Sequence, residues 1–257
     1  MKNKKTIIVI ISIVLIYLVL AIVLFGWENF INKFQGLYIM LDSGDKWQLK
    51  DGKWSDIENE KDYNWKKFDV YIDNQLIGNY SLMYNNKWYL FDDERVSQKY
   101  EGKILAIKGN KKYQVIDFLE EDINEEDKEI LNDILNDKEI TYPESFTYAK
   151  KVFINLDDDQ KLETIYTISN AFTNDTSVNK KFSLVFIKDD QTKILYEDKK
   201  YADYQYDMCV PKVNSIIDIN KDKKYEIIIE CNYYSVMGTC NQLYHQKDGN
   251  YRLAKGC

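Results

Sequence analysis

Between Asn155 and Glu163 the chain places oxygen-bearing side chains at Asn155, Asp157, Asp159 and Glu163, with the backbone carbonyl of Lys161 between the last two. Sixty-three positions later the order returns as Asp218, Asn220, Asp222 and Glu226, with the carbonyl of Lys224. Oxygens at positions 1, 3, 5, 7 and 9 of a tight loop converge on one point, and a shell of hard oxygen donors suits Ca²⁺. The rival reading is a pair of turns whose side chains bond their own backbone. Charge separates the two copies. The first loop carries a net −3, whereas Lys221, Lys223 and Lys224 balance the second. Cation affinity rises with ligand charge, so the first loop is the better calcium candidate. An EF-hand is excluded. Tyr166 and Ile229 stand at position 12, where that loop needs Glu, and each loop runs on into β-branched residues rather than a helix.

The repetition extends beyond the loops. Each leads into an apolar run, then a polar loop, then a hairpin: "SLVFIKDDQTKILYED" in the first copy and "CNQLYHQKDGNYRLAK" in the second. Each copy reads as a four-stranded unit of roughly 60 residues, the size and order of a propeller blade. This pattern resembles the FG-GAP/VCBS type of repeat, in which D-x-D-x-D-G-x-x-[DE] loops between blade strands bind calcium. The resemblance covers residues 145 to 257, and it implies calcium held by the residues named above. It departs from the family at the sixth loop position, where Gln160 and Lys223 replace glycine. A side chain forced into the left-handed region there costs on the order of 1–2 kcal/mol. Two units cannot close a propeller, so a sandwich of two blade-like sheets is expected.

The elements that must position these loops can be read along the chain. Residues 1–5 carry three lysines, and Thr6 to Phe25 follow without a charge. Twenty apolar residues span about 30 Å as a helix, the thickness of a bilayer core. The stretch predicts a transmembrane helix over 6–25. Its apolar region is too long, and lacks the small-x-small site, for a cleaved signal peptide. Lysines before it predict a cell-membrane protein with a cytoplasmic N-terminus and its domains outside. Residues 36–118 hold short aromatic, β-rich runs between turn sequences, which predicts a small β-barrel or sandwich. Trp47, Trp54, Trp65 and Trp88 lie there, and packing is the expected role of these side chains. Residues 120–138 predict a connecting helix capped by Asn124, its charge run forming a solvated face. Residues 142–257 hold the two repeats. The fold class is thus mostly β, with an anchor helix and a linker helix.

Cys209, Cys231, Cys240 and Cys257 all fall near the end of the chain. An even number in an exported region predicts disulfides, with a zinc site as the rival. "YHQKDGNYRL" reads as a hairpin turning at Asp248-Gly249. Residues directly opposed across this ladder sum to 497, which sets Cys240 opposite Cys257 within disulfide reach and leaves Cys209 to Cys231.

The formal charge is −7, and removing the three N-terminal lysines leaves −10 on residues 26–257. That balance excludes nucleic acid as a partner. With one histidine, and no nucleophile elbow, phosphate loop or dinucleotide fingerprint, triads and histidine-rich metal sites are not expected. The residues therefore predict a membrane-anchored binding protein with a calcium site and no catalysis. Its partner would be an extracellular protein or polysaccharide. The alternative is an exported hydrolase that cleaves envelope polysaccharide through two carboxylates.

Overall fold

A computed structural model of the chain describes Tyr17 and residues 37–109, 113–172, 178–201, 208–219, 221–233 and 238–256. The two repeats form two sheets with the same strand order. In the first, β11 (Tyr148–Ile154), β12 (Glu163–Ser169), β13 (Lys180–Lys188) and β14 (Thr192–Tyr201) follow one another as an antiparallel meander. In the second, β15 (Val210–Asp218), β16 (Glu226–Tyr233), β17 (Gly238–Lys247) and β18 (Asn250–Lys255) do the same. The sheets pack face to face. Val152, Ile154, Ile165, Val185 and Ile187 of one meet Val213, Ile216, Ile227, Ile229 and Tyr244 of the other in a single core.

Each sheet has a fifth strand; the run "KKYQVIDF" is strand as expected but joins a repeat sheet, and the other fifth strand was not foreseen. β9 (Gln114–Ile116) pairs with β15, and β10 (Glu121–Asp122) pairs with β11. The expected boundaries shift accordingly. Residues 114–116 belong to the second repeat sheet rather than to the N-terminal domain. Residues 121–122 are strand rather than helix.

The N-terminal region is one eight-stranded sheet in the order β3-β2-β1-β8-β4-β5-β6-β7, not a barrel or a two-sheet sandwich. Its strands are β1 (Leu37–Leu41), β2 (Lys46–Lys50), β3 (Lys53–Asp56), β4 (Lys67–Ile72), β5 (Gln75–Tyr84), β6 (Trp88–Phe91), β7 (Ser97–Gln98) and β8 (Ile104–Lys108). Both faces of its centre are covered, which is why β1 and β8 read as unbroken apolar runs. Leu37, Ile39, Leu105 and Ile107 pack on Ile217, Ile228 and Leu243 of the second repeat sheet. Met40, Ile104 and Ala106 face the opposite way, into a cluster with Phe68, Leu82, Leu90 and Trp88. Trp47 and Trp88 are buried, and Trp88 Nε1 donates to the carbonyl of Leu41 at 2.7 Å. Trp65 is 54% exposed.

The helix α1 (Asp127–Asp137) covers the outer face of the first repeat sheet. Asn124 Oδ1 accepts from the N–H groups of Glu126 and Asp127, and the Asp127 carboxylate accepts from the N–H of Asn124 at 2.6 Å. Its far end is closed by Ile140 N–H to Leu135 O and Glu139 N–H to Asn136 O, with Glu139 at φ 55°. Leu131 and Leu135, one turn apart, pack on Tyr166, Phe182 and Phe186. The charged face is not wholly solvated, because Asp127 is buried. Lys151 Nζ lies 2.8 Å from Asp127 Oδ2, and Tyr166 donates to Asp127 Oδ1 at 2.7 Å.

The layers thus run helix, first repeat sheet, second repeat sheet, eight-stranded sheet. The fold is mostly β, as expected, but the expected transmembrane helix is not supported. No helix among the described residues is long and apolar enough to cross a membrane. At 11 residues, α1 spans only about 16 Å and carries charges on its surface. Residues 6–25 lie outside the described residues apart from Tyr17.

A buried polar network joins the eight-stranded sheet to β17. Asn241 is 1% exposed. Its Nδ2 donates to Ser43 Oγ at 2.7 Å and to Asp45 Oδ2 at 2.9 Å, and its backbone N–H donates to Asp45 Oδ2 at 3.2 Å. Asn214 Nδ2 contacts both Asn241 Oδ1 and Glu230 Oε2. Asn241→Ala is expected to cost about 2 kcal/mol, since it removes an acceptor from the buried Asn214 amide and two side-chain hydrogen bonds to the part-buried Ser43 and Asp45. Equilibrium urea unfolding measures it; a loss below about 0.5 kcal/mol would mean that water replaces the amide.

Candidate metal centre in the twin acidic loops

The first acidic loop is closed by the pairing of Ile154 with Glu163, and the second by the pairing of Ile217 with Glu226. The equivalence continues through the backbone. Asp158 and Gln160 have φ of 62° and 71°, and their counterparts Lys221 and Lys223 both have φ of 63°. The sixth position is therefore left-handed in both loops, as the glycine of the family pattern implies, although glycine is absent. In each loop the ninth-position glutamate reaches back to a backbone donor. Glu163 Oε2 accepts from Leu156 N–H at 2.7 Å, and Glu226 Oε2 accepts from Ile219 N–H at 2.9 Å. The fifth-position aspartates accept in the same way from Lys161 N–H and Lys224 N–H.

The first loop brings Asp157, Asp159 and Glu163 together. One oxygen from each lies within 4.8 Å of the others. Oxygens at 2.3–2.6 Å from a shared Ca²⁺ can be at most roughly 5 Å apart, so the spread fits that ion. Asn155 Oδ1 accepts from Asp157 N–H at 3.3 Å and retains lone-pair capacity. Asp157 and Asp159 are exposed and Glu163 is buried, so the cluster opens on one side to solvent. Burial pushes the Glu163 carboxyl up; the Leu156 N–H pulls it back, and Asp157 and Asp159 raise it further. Desolvation is thus the main penalty on the charged form of Glu163, and the two aspartates add to it.

The second loop is arranged differently at its first ligand position. Asp218 is 3% exposed, and its two oxygens accept from the N–H groups of Lys221 and Lys223 at 2.6 and 3.2 Å. Its carboxylate is taken up in holding the turn. Asn220 lies outside the described residues. Glu226, like Glu163, is 7% exposed. Burial pushes it up to about 8, with Ile219 N–H opposing and Asp222 and Asp218 adding to the rise.

The two loops lie side by side. Tyr225 N–H donates to Leu156 O at 3.1 Å, and Lys223 Nζ lies 2.5 Å from Asp158 Oδ2. Tyr251, whose hydroxyl donates to Tyr225 O at 3.2 Å, sits between them. Burial holds its hydroxyl far above the ordinary tyrosine range, and Glu226, Glu163, Asp157 and Asp222 push it further.

The sequence reading missed Asp127, Asn214, Glu230 and Asn241. For Asn214 and Glu230 a signal was present: each is a polar residue inside an apolar strand run, "KVNSII" and "IIIEC". Of the cysteines, Cys209 and Cys231 form the expected disulfide, with Cα atoms 4.9 Å apart. No described cysteine is a free thiol, and Cys257 lies outside the described residues. The ladder on which Cys240 was set opposite Cys257 is not unbroken. It runs as expected from Lys247–Asn250 to Tyr244–Leu253, then shifts by one residue at Leu243.

No family model, curated protein or solved structure matches this chain. The likeness to FG-GAP/VCBS repeats therefore rests on the residues of the loops and their flanks.

Proposed function

We propose that this chain is a binding protein rather than an enzyme, and that its first acidic loop holds a calcium ion that stiffens the repeat sandwich. The observation that carries the reading is the convergence of Asp157, Asp159 and Glu163 on one point with oxygen spacing suited to Ca²⁺. The carbonyl of Lys161 and the amide of Asn155 complete the donor set. The ion would offset the charge that the two aspartates add to the penalty on Glu163. It would also fix the corner at which the two repeat sheets meet, because Leu156 of this loop is bonded to Tyr225 of the other. The second loop is the weaker ligand set, since Asp218 already binds its own turn.

Calcium that binds only the folded state raises the unfolding midpoint. At a calcium concentration 100 times the dissociation constant the stabilisation is about 2.7 kcal/mol. Thermal unfolding in millimolar calcium and then in excess chelator should show a rise in midpoint. Asp157→Ala with Asp159→Ala should abolish it, and Asp222→Ala should leave it in place. An unchanged midpoint in the native chain would leave both loops as turns only.

A further inference from the structure

The connector from β9 to β10 crosses from the edge of one repeat sheet to the edge of the other. It leaves β15 after Ile116, where β15 bulges between Val213 and Ser215, and joins β11 at Glu121. Between these points residues 117–120 make no backbone–backbone hydrogen bond among the described residues. On the same flank no described strand pairs with β15 over residues 210–215. A cleft opens on each side of the crossing. One, of about 240 Å³, lies against Val213, Asn214 and Ser215. The other, of about 250 Å³, lies against Phe153. Phe118 and Leu119 line both. Leu119 is 82% exposed and Phe153 44% exposed, although both are large apolar side chains. Among the described residues that line the clefts, the charged ones are Asp73, Asp117, Glu120, Glu121 and Lys103; the Lys151 ammonium lies 5.1 Å from the Phe153 ring and is paired with Asp127. Lys103 lies 3.6 Å from Glu230 and is partly neutralised by it.

We propose that this crossing and its two clefts are a docking site for an extended segment of a partner protein in which basic and apolar residues alternate. Residues 210–215 are buried apart from Lys212, so the accessible unpaired backbone is that of residues 117–120, and extended chain is the form that supplies N–H and C=O groups to it. Its alternation turns every second side chain to one face. Apolar side chains on that face would enter the clefts beside Phe118, Leu119 and Phe153. Lysine or arginine between them, on long flexible stems, would reach the exposed carboxylates of Asp117, Glu120 and Glu121 at the cleft rims. The proposal rests on the reading of the chain as a binding protein and does not depend on calcium.

The test uses the full chain and a fluorescein-labelled decapeptide of alternating lysine and valine, with glutamate in place of lysine as control, read by fluorescence polarisation. The lysine peptide is expected to bind saturably and the glutamate peptide at least about tenfold more weakly. Leu119→Asp should weaken binding by at least about tenfold, although its added negative charge would strengthen a merely electrostatic attraction. Phe153→Ala should do the same without moving the thermal midpoint. No saturable binding, equal binding of both peptides, or binding that Leu119→Asp leaves intact would each overturn the proposal. So would a labelled oligosaccharide bound at Leu119 in the peptide's place. A calcium shift that survives such a failure would leave the metal reading standing, and peptide binding without a calcium shift would remove only the ion.

Discussion

Asp127→Ala is expected to lower stability by about 3–5 kcal/mol, the range for breaking one partner out of a buried ion pair. The side chains of Lys151 and Asp127 are each only 5% exposed. Removing the carboxylate leaves the ammonium of Lys151 enclosed without a counter-charge. It also leaves the hydroxyl of Tyr166 and the N–H of Asn124 without their acceptor. The helix start and its attachment to the first repeat sheet are lost together, because Asp127 serves both. Asp127→Asn keeps the shape but not the charge and should lose nearly as much. The pair Asp127→Leu with Lys151→Met should recover much of the loss, since a well-packed apolar pair often matches a buried ionic one. Urea unfolding of the three variants decides the matter. A cost below about 1 kcal/mol for Asp127→Ala would mean that water reaches Lys151 readily.

Burial first pushes the Asp127 carboxyl up, but the hydrogen bonds from Lys151, Asn124 N–H and Tyr166 outweigh that and hold it below the usual carboxylate range. A folded-state value below the unfolded one gives stability that is present above the unfolded value and is lost as pH falls through the folded one. Acid should therefore release α1 at pH values under about 4.

Glu226 has the opposite sign and sets the second large effect. Its folded-state value stands at about 8, against an ordinary value of 4.5. Below about pH 4.5 both states are protonated and the group costs nothing. As pH rises from there, the unfolded chain loses the proton while the folded chain keeps it. Stability falls through this window and levels off above about pH 8, with a total loss on the order of a few kcal/mol. Glu163, raised in the same direction by burial, adds to the slope. Glu226→Gln retains an oxygen for Ile219 N–H and cannot ionise. It should flatten the decline between pH 5 and 8.5 and be more stable than the native chain at the upper end. Denaturant titrations at those two pH values give the comparison. A slope identical to that of the native chain would show that Glu226 titrates as an ordinary glutamate, as a cation bound beside it would also ensure. Repeating the pair in chelator separates those two causes.

The acidic loops were legible because their spacing is local. A turn of nine residues, repeated at an offset of 63 and followed each time by β-branched residues, fixes where the chain bends and where pairing resumes. The four-strand order of each repeat came from the same kind of short-range signal, as did the Asp248-Gly249 hairpin, whose two residues have φ of 53° and 77°. The placement of the fifth strands was not legible, although "KKYQVIDF" reads as β-rich. Gln114–Ile116 pairs with residues a hundred positions away, so its partner leaves no local mark, and Glu121–Asp122 is only two residues long and has no periodicity of its own. Asp127 was hidden by company, since it stands among acidic neighbours that do face solvent, and only the sheet beneath the helix distinguishes it. The bulge at Leu243 was equally silent, because a one-residue shift in a ladder leaves no mark in composition.

The crossing from β9 to β10 also changes what counts as a separable piece of this molecule. A cut made ahead of α1, where composition changes from aromatic to acidic, would remove Gln114–Ile116 and Glu121–Asp122 from the C-terminal fragment. Both repeat sheets would lose an outer strand in one step, baring backbone that invites self-association. The N-terminal fragment would end in a tail with no sheet to join. The apolar contact between β1, β8 and the second repeat sheet would be severed as well. In this respect the chain is sewn rather than stacked, and its halves are expected to unfold as one cooperative unit instead of as two beads on a string.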